Sequence, residues 1–350
     1  MGGDTVLSRR NARKKSWKIR ITALLCCVLI GSLLAGCSSA KKEEGSAASE
    51  PQGAKGAASN VAAAAGAKNE AATEERIVTD ELGHELKLSS APKRIFAPNM
   101  EDSLLKLGVK PVAQWSNGKK GHEYLQEELK DVPKLDLSAG LPSPEVLMSY
   151  NPDLIILHTE TYAKDATTYE SYAKIAPTYV FKNASGNIEK SLATIGDLLG
   201  KSTEADAALQ AYRQKVTDGK EKLSKVAENK KAAIIRFAPR GISLMGGKYL
   251  CGYVLHQDLG LGITKLVGNE NSANLSLEVL PELDADYIFV INAYDQGSDR
   301  MKEMMDSPIW KSMPAAKQGH VYEVNNQYWL GSGLIAYEKI VDDTVRLLTE

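Results

Sequence analysis

Ser202-Thr203-Glu204-Ala205-Asp206-Ala207-Ala208-Leu209-Gln210-Ala211-Tyr212-Arg213-Gln214-Lys215-Val216-Thr217-Asp218-Gly219-Lys220-Glu221-Lys222-Leu223-Ser224-Lys225-Val226 is the stretch on which the architecture turns. It contains no proline and no turn signal except Gly219. A Ser202 or Thr203 cap opens it, and Ala207, Leu209, Tyr212, Val216, Leu223 and Val226 give it an apolar side. About 27 residues of α-helix reach about 40 Å. That is too long for a crossover within one sheet and the right length to join two lobes, so residues 201–229 are read as a connecting helix.

Short apolar runs lie on both sides of it. Arg94 to Ala97, Val112 to Trp115, Leu154 to Leu157 and Thr178 to Phe181 precede it, and Ala233 to Phe237, Tyr287 to Ile291 and His320 to Val324 follow. Their alternation with helical patterns predicts α/β units with mainly parallel sheets. One lobe is expected over 76–200 and a second over 230–350. Arg76 to Thr79 and Glu85 to Leu88, joined through Gly83, read as a β-hairpin before the first lobe.

A weak internal repeat supports two related lobes. Ser143-Pro144-Glu145-Val146-Leu147 through Leu157 aligns without gaps on Ser276-Leu277-Glu278-Val279-Leu280 through Val290. Six of fifteen positions are identical, with Ser, Glu and Asp at fixed offsets. Each copy reads as a capped short helix, a turn and a buried strand. Pro281 makes the second helix short or irregular.

The first twenty residues carry seven basic side chains and one acid, Asp4, and Ile21 to Leu34 is uncharged and largely apolar. That run is short of the roughly 20 residues that span a bilayer. With Leu34-Ala35-Gly36-Cys37 it has the form of an export signal over 1–36 ending in a lipoprotein cleavage site, so Cys37 would carry lipid. Residues 37–75 hold almost no large apolar side chains and read as a flexible tether. Cys26 and Cys27 would leave with the signal, and Cys251 is expected as a small buried hydrophobe. Removing 1–36 takes Lys+Arg from 43 to 36 and Asp+Glu from 44 to 43, so the mature chain stands near −7. Nucleic acid is a poor partner for such a chain.

Catalytic signatures are absent: there is no GxSxG, HExxH, CxxC or P-loop. The segment from Gly241 to Gly246 is followed by Gly247 where a P-loop needs Lys. His84, His122, His158, His256 and His320 are scattered without metal-ligand spacing, and each is read as a surface or satisfied core residue.

Ala91-Pro92-Lys93-Arg94-Ile95, Asp102 through Pro111, Pro144-Glu145 through Pro152-Asp153-Leu154, and above all Ile175-Ala176-Pro177-Thr178 resemble, in order and spacing, the substrate-binding lipoproteins of bacterial iron-siderophore ABC importers. The resemblance runs from about Arg76 to Leu348. It implies an α/β fold of two Rossmann-like lobes joined by one long helix, with the ligand in the cleft between them. It implies a monomer without catalysis or cofactor that captures a ferric siderophore and hands it to a membrane permease. Iron would be held by the chelator and not by protein ligands. In relatives one surface glutamate per lobe meets the permease, and Glu145 and Glu278 occupy the matching places of the repeat. Both also sit two residues after a capping Ser, where a carboxylate suits a helix N-terminus. A cobalamin or haem carrier of the same fold, and more remotely a lipid-anchored enzyme, are the alternatives. A lipid anchor on Cys37 would keep the receptor beside its permease on a Gram-positive-like envelope.

Crevices in open α/β sheets lie beyond the carboxyl ends of the strands. Arg236, in an otherwise apolar strand, and Arg240 in the next loop are the candidate donors to chelate oxygens. Trp115, Tyr328 and Trp329 are candidate flat faces for the organic scaffold, and Asn99, Lys119 and Lys248 are further candidates at similar positions.

Overall fold

A computed structural model describes residues 75–88, 92–159 and 166–350. The export signal, Cys37, the tether up to residue 74 and Ala91 lie outside the described residues. In chain order the first part contains β1 (Arg76–Thr79), β2 (Glu85–Leu88), β3 (Ile95–Phe96), α1 (Glu101–Lys106), β4 (Gln114–Ser116), α2 (Gln126–Leu129), β5 (Lys134–Asp136), α3 (Pro144–Ser149), β6 (Leu154–His158), α4 (Ala166–Ala173), β7 (Thr178–Phe181) and α5 (Ile188–Leu198). The long helix is α6 (Ser202–Ala227). After it come β8 (Lys231–Ala238), β9 (Gly241–Met245), α7 (Leu250–Tyr253), β10 (Gly262–Ile263), β11 (Ser272–Asn274), β12 (Tyr287–Asn292), α8 (Ser298–Asp306), α9 (Pro308–Ser312), α10 (Pro314–Lys317), β13 (Val321–Glu323), α11 (Asn326–Trp329) and α12 (Leu334–Thr349).

β1 and β2 form the expected antiparallel hairpin. β6 lies between β3 and β7, parallel to both, and β12 lies between β8 and β13 in the same way. Every residue of β6 is buried, as befits a parallel strand covered on both faces. Period-2 alternation divides the cover. Leu154 and Ile156 join the large core cluster that continues through α5, α6 and α12, while Ile155 and Leu157 join a smaller cluster with Leu147 and Tyr172. In β8, Ala232 and Ile234 face the large cluster and Ala233, Ile235 and Phe237 the opposite one.

The second sheet is less parallel than expected. β9 runs antiparallel to both β8 and β11, giving the order β11-β9-β8-β12-β13 with β10 beside β8. The glycine-rich segment after Arg240 is therefore a hairpin strand.

The stripe of α6 is Ala205, Ala208, Leu209, Tyr212, Val216, Gly219 and Leu223, at helical spacing. Ala207 is exposed, one position off this stripe. The helix starts at Ser202, yet neither Ser202 nor Thr203 caps it. Its N-cap is Lys201, whose N–H donates to the Gly196 carbonyl at 2.6 Å. Gly200, at φ 66°, turns the chain so tightly out of α5 that the cap position falls before the hydroxyl residues. Gly219 interrupts nothing: a Cβ there would stand 3.1 Å from Val341, so its lack of a side chain lets α12 approach. α12 also packs on α1, so the end of the chain returns to the first lobe.

In the repeat, Ser143 caps α3 through the Val146 N–H, with Pro144 in the first turn. The second copy opens as a turn and becomes helical only as a 3₁₀ turn over Leu280–Glu282, the irregularity expected from Pro281.

Candidate functional site

A cavity of about 840 Å³ lies between the lobes at the carboxyl ends of their strands. Asn99, Trp115, His122, His158, Asn183 and Ser185 line it from the first lobe. Arg236, Ser243, Met245, Lys248, Tyr249, Asn271 and Tyr294 line it from the second. Among the described residues its wall contains Arg236 and Lys248 but no Asp or Glu. A cavity of this size and sign suits an anionic organic ligand.

Arg236 follows from strand parity. It shares the face of Ala232 and Ile234, but it stands where the covering core ends and the cleft opens. Its register partners are Ile291 on β12 and Ser243 on β9. Among the described residues the half-buried guanidinium has no ion pair and no hydrogen bond. Planar donors held this way are free for ligand oxygens.

Backbone strain gathers at the same place. Asn99, Leu250 and Tyr294, all in the cavity wall, have φ of 62°, 46° and 52°. Such a conformation costs a Leu or Tyr roughly 1 kcal/mol or more, and it is characteristic of ligand sites. Burial raises the pKa of the Tyr294 hydroxyl, opposed by the charge of Arg236.

On the first-lobe wall the rings of Trp115 and His122 stack, with centroids 4.8 Å apart. Behind them is Glu101, fully buried. Its Oε1 accepts the Trp115 N–H at 2.7 Å, while its Oε2 has no hydrogen-bond partner and lies 3.7 Å from His122 Nε2. Burial pushes the Glu101 carboxyl up to about 7, and it lowers both His122 and His158 to about 4.

Asn99, Trp115, Arg236 and Lys248 are thus brought together. Arg240 is not with them: it is exposed and borders a separate cavity of about 360 Å³ beside Arg300 and Glu303. Lys119 is exposed and off the wall, whereas its neighbour Lys120 places Nζ 3.6 Å from Asp295 Oδ2 of the second lobe. Tyr328 and Trp329 also lie off the wall. Trp329 is fully buried on Phe289, and its Nε1–H and the Tyr328 hydroxyl both donate to Asp343. Trp329 is a core residue and Tyr328 packs against that core, because Asn325 caps α11 and turns the chain inward. Two histidines read as unremarkable, His122 and His158, are in the wall. The position of His158 as the last residue of β6 was the available signal. Among the described residues no cluster of three or more His, Cys, Asp or Glu could hold a metal ion, and no helix is long and apolar enough to cross a membrane.

The model of the periplasmic binding protein family matches residues 98–328, and these residues carry α6, most of the elements on either side of it and every wall residue named above. The chain belongs to the periplasmic binding protein family. Among relatives of this binding protein is the iron-uptake system-binding protein of Bacillus subtilis, 30% identical over 57% of this chain and 63% of the relative. A probable siderophore-binding lipoprotein of the same organism is 26% identical over 78% of this chain and 87% of its own length. The solved structure of Staphylococcus aureus SirA complexed with staphyloferrin B is 26% identical, with a TM-score of 0.68, covering 78% of this binding protein and 98% of SirA. These relatives are binding proteins. The two-lobe α/β architecture read from the long helix and the repeat is shared with SirA.

Proposed function

We propose that this binding protein captures a ferric siderophore outside the cytoplasmic membrane and delivers it to the permease of an ABC importer. The observation that carries the proposal is Arg236: a half-buried guanidinium that opens into a two-lobe cavity and that, among the described residues, has no acidic partner and no carboxylate in the wall around it. A ferric chelate with outward-facing oxygens supplies the missing acceptors, and Trp115 and Tyr294 supply flat faces for its organic part. A probable siderophore-binding lipoprotein and SirA complexed with staphyloferrin B, both similar to this chain, support the same ligand class. In this proposal the protein is held at the extracytoplasmic face through lipid on Cys37, since two acyl chains anchor stably where one binds reversibly.

Glu145 and Glu278 are proposed as the permease contacts. Both are exposed, and beside Glu145 the apolar side chains of Val146 and Met148 are 43% and 60% exposed. Hydrogen bonds hold both carboxyls below the usual range, from the backbone N–H and Ser143 at Glu145 and from Ser276 and the backbone at Glu278. Both therefore stay charged for docking.

Titration with ferric staphyloferrin B, ferric dicitrate, ferrichrome, haem and cobalamin, followed by tryptophan fluorescence, tests the ligand class. A ferric chelate should quench Trp115, and Arg236→Ala should weaken that chelate roughly 10- to 100-fold, the worth of one charge-assisted contact. A response to haem or cobalamin with none to any ferric chelate would refute the proposal.

A further inference from the structure

We infer that His122 is a ligand-contacting residue that becomes an imidazolium when an anionic chelate enters the cleft, with Glu101 as the buried carboxylate that positions and balances it. The inference rests on the ferric-chelate function proposed above and narrows it to carboxylate-rich, anionic chelates.

The geometry sets His122 between the buried Glu101 carboxylate and the cavity. Behind it is the Oε2 of Glu101, wholly buried, without a donor, 3.7 Å from Nε2. In front is the cavity, where Arg236 and Lys248 already favour ligand oxygens. Between an ionised Glu101 and a ligand anion, a neutral imidazole with its one N–H can satisfy one side only, whereas the cation has two N–H groups and can satisfy both. The stack on Trp115 keeps the ring in this orientation, and the same glutamate holds the Trp115 backbone through Oε1. One buried carboxylate thus fixes both aromatic walls and waits for a donor that only the protonated ring supplies while facing a ligand anion.

Other titratable groups face the pair. Asp102 is next along α1, and the Tyr124 hydroxyl donates to it at 3.0 Å. His158, Arg236, Lys248 and Tyr294 approach from the other walls, and the Lys120 and Asp295 pair lies at 3.6 Å nearby. None of them supplies the donor that Glu101 Oε2 lacks. In the empty cleft the imidazole is neutral and the Glu101 carboxyl, raised to about 7, is half protonated at neutral pH. Below pH 7 the proton that forms the imidazolium comes from Glu101 itself, and above pH 7 it comes from solvent. Net proton uptake on binding is therefore near zero at pH 5.5, about half a proton at pH 7 and rises toward one at pH 8.5.

Calorimetry with ferric dicitrate and ferric staphyloferrin B, at these three pH values and in two buffers of different ionisation enthalpy, measures that uptake. The wild type should follow the stated rise, and neutral ferrichrome should evoke no uptake. His122→Phe keeps the stack on Trp115 and should bind without uptake at any pH. Glu101→Gln keeps an acceptor for the Trp115 N–H and should also lose it. Chelate binding without uptake, or uptake that persists in His122→Phe, overturns the inference while leaving the proposed function standing. If no chelate binds, the proposed function falls, and the ligand-free protein still decides on the pair. Its His122 ring resonances should show a small step with midpoint near pH 7 that vanishes in Glu101→Gln. An ordinary histidine titration that ignores Glu101→Gln overturns the inference there.

Discussion

Asp102 of α1 caps α12 by accepting the backbone N–H of Ala336 at 2.9 Å, while its other oxygen accepts the N–H of Ile335 at the same distance. The contact joins residues more than 230 positions apart in sequence. Gly333 is required beside it, because a Cβ there would overlap the Asp102 side chain. Asp102→Ala orphans two N–H groups and the Tyr124 hydroxyl and should cost about 3 kcal/mol. The thermal midpoint should then fall by about 5 °C for a chain of this size. A fall of less than 2 °C would show that water replaces the carboxylate without penalty.

Glu101 gives stability an unusual dependence on pH. Its carboxyl is raised in the fold from 4.5 to about 7 by burial, so the folded state binds the proton more tightly than the unfolded chain. The stabilisation that follows is complete below about pH 4.5 and is lost as pH rises through 7. Glu101→Gln, permanently neutral, should match the wild type near pH 4.5 and exceed it by about 3 kcal/mol at pH 8, from roughly 2.5 pK units. Thermal melts of both proteins from pH 4.5 to 8 check this, and parallel curves would mean that Glu101 stays ionised in the fold.

Trp329 separates core from site. It is fully buried, stacked on Phe289 at 5.0 Å, with its Nε1 on Asp343 at 3.1 Å. Trp329→Ala should cost about 3–5 kcal/mol. Trp329→Phe keeps the stack, leaves Asp343 with the Tyr328 hydroxyl, and should bind a ferric chelate with wild-type affinity. A tenfold loss of affinity in a stable Trp329→Phe protein would return this residue to the ligand site.

The fold was legible where burial imposes a period. Leu154 to Leu157 and Ala233 to Phe237 announce strands covered on both faces, and Leu209, Tyr212, Val216 and Leu223 announce α6. Arg236 was legible because a charge breaks such a period, and only a cleft or a partner accommodates it. The rest of the wall was hidden because topology assembles it. His122 enters through a loop whose position depends on β4, and Tyr294 through a left-handed turn after β12 that no local motif announces. Trp329 misled for a local reason. Asn325, Asn326 and Gln327 make its surroundings look solvated, yet Asn325 is the cap that turns Trp329 inward. Arg240 misled by proximity: four residues beyond Arg236, past the end of β8, it has left the face that opens on the cleft.

Glu145 and Glu278 offer the remaining prediction. Each lies two residues after a serine that bonds nearby, so a purely local role in the helix N-terminus or turn would express itself as stability. Both side chains are exposed, and a surface carboxylate of this kind contributes little to the fold. Docking predicts a different pattern. Glu145→Ala with Glu278→Ala should leave the thermal midpoint within about 2 °C and chelate affinity unchanged, while chelate uptake by cells that depend on this receptor falls to background. The single variants should each reduce uptake, because opposed charges at two separate points fix the docking register. Glu145→Asp with Glu278→Asp should restore part of the uptake, since it keeps the charge and shortens the reach. Normal uptake in the double alanine variant would assign both glutamates to local hydrogen bonding alone.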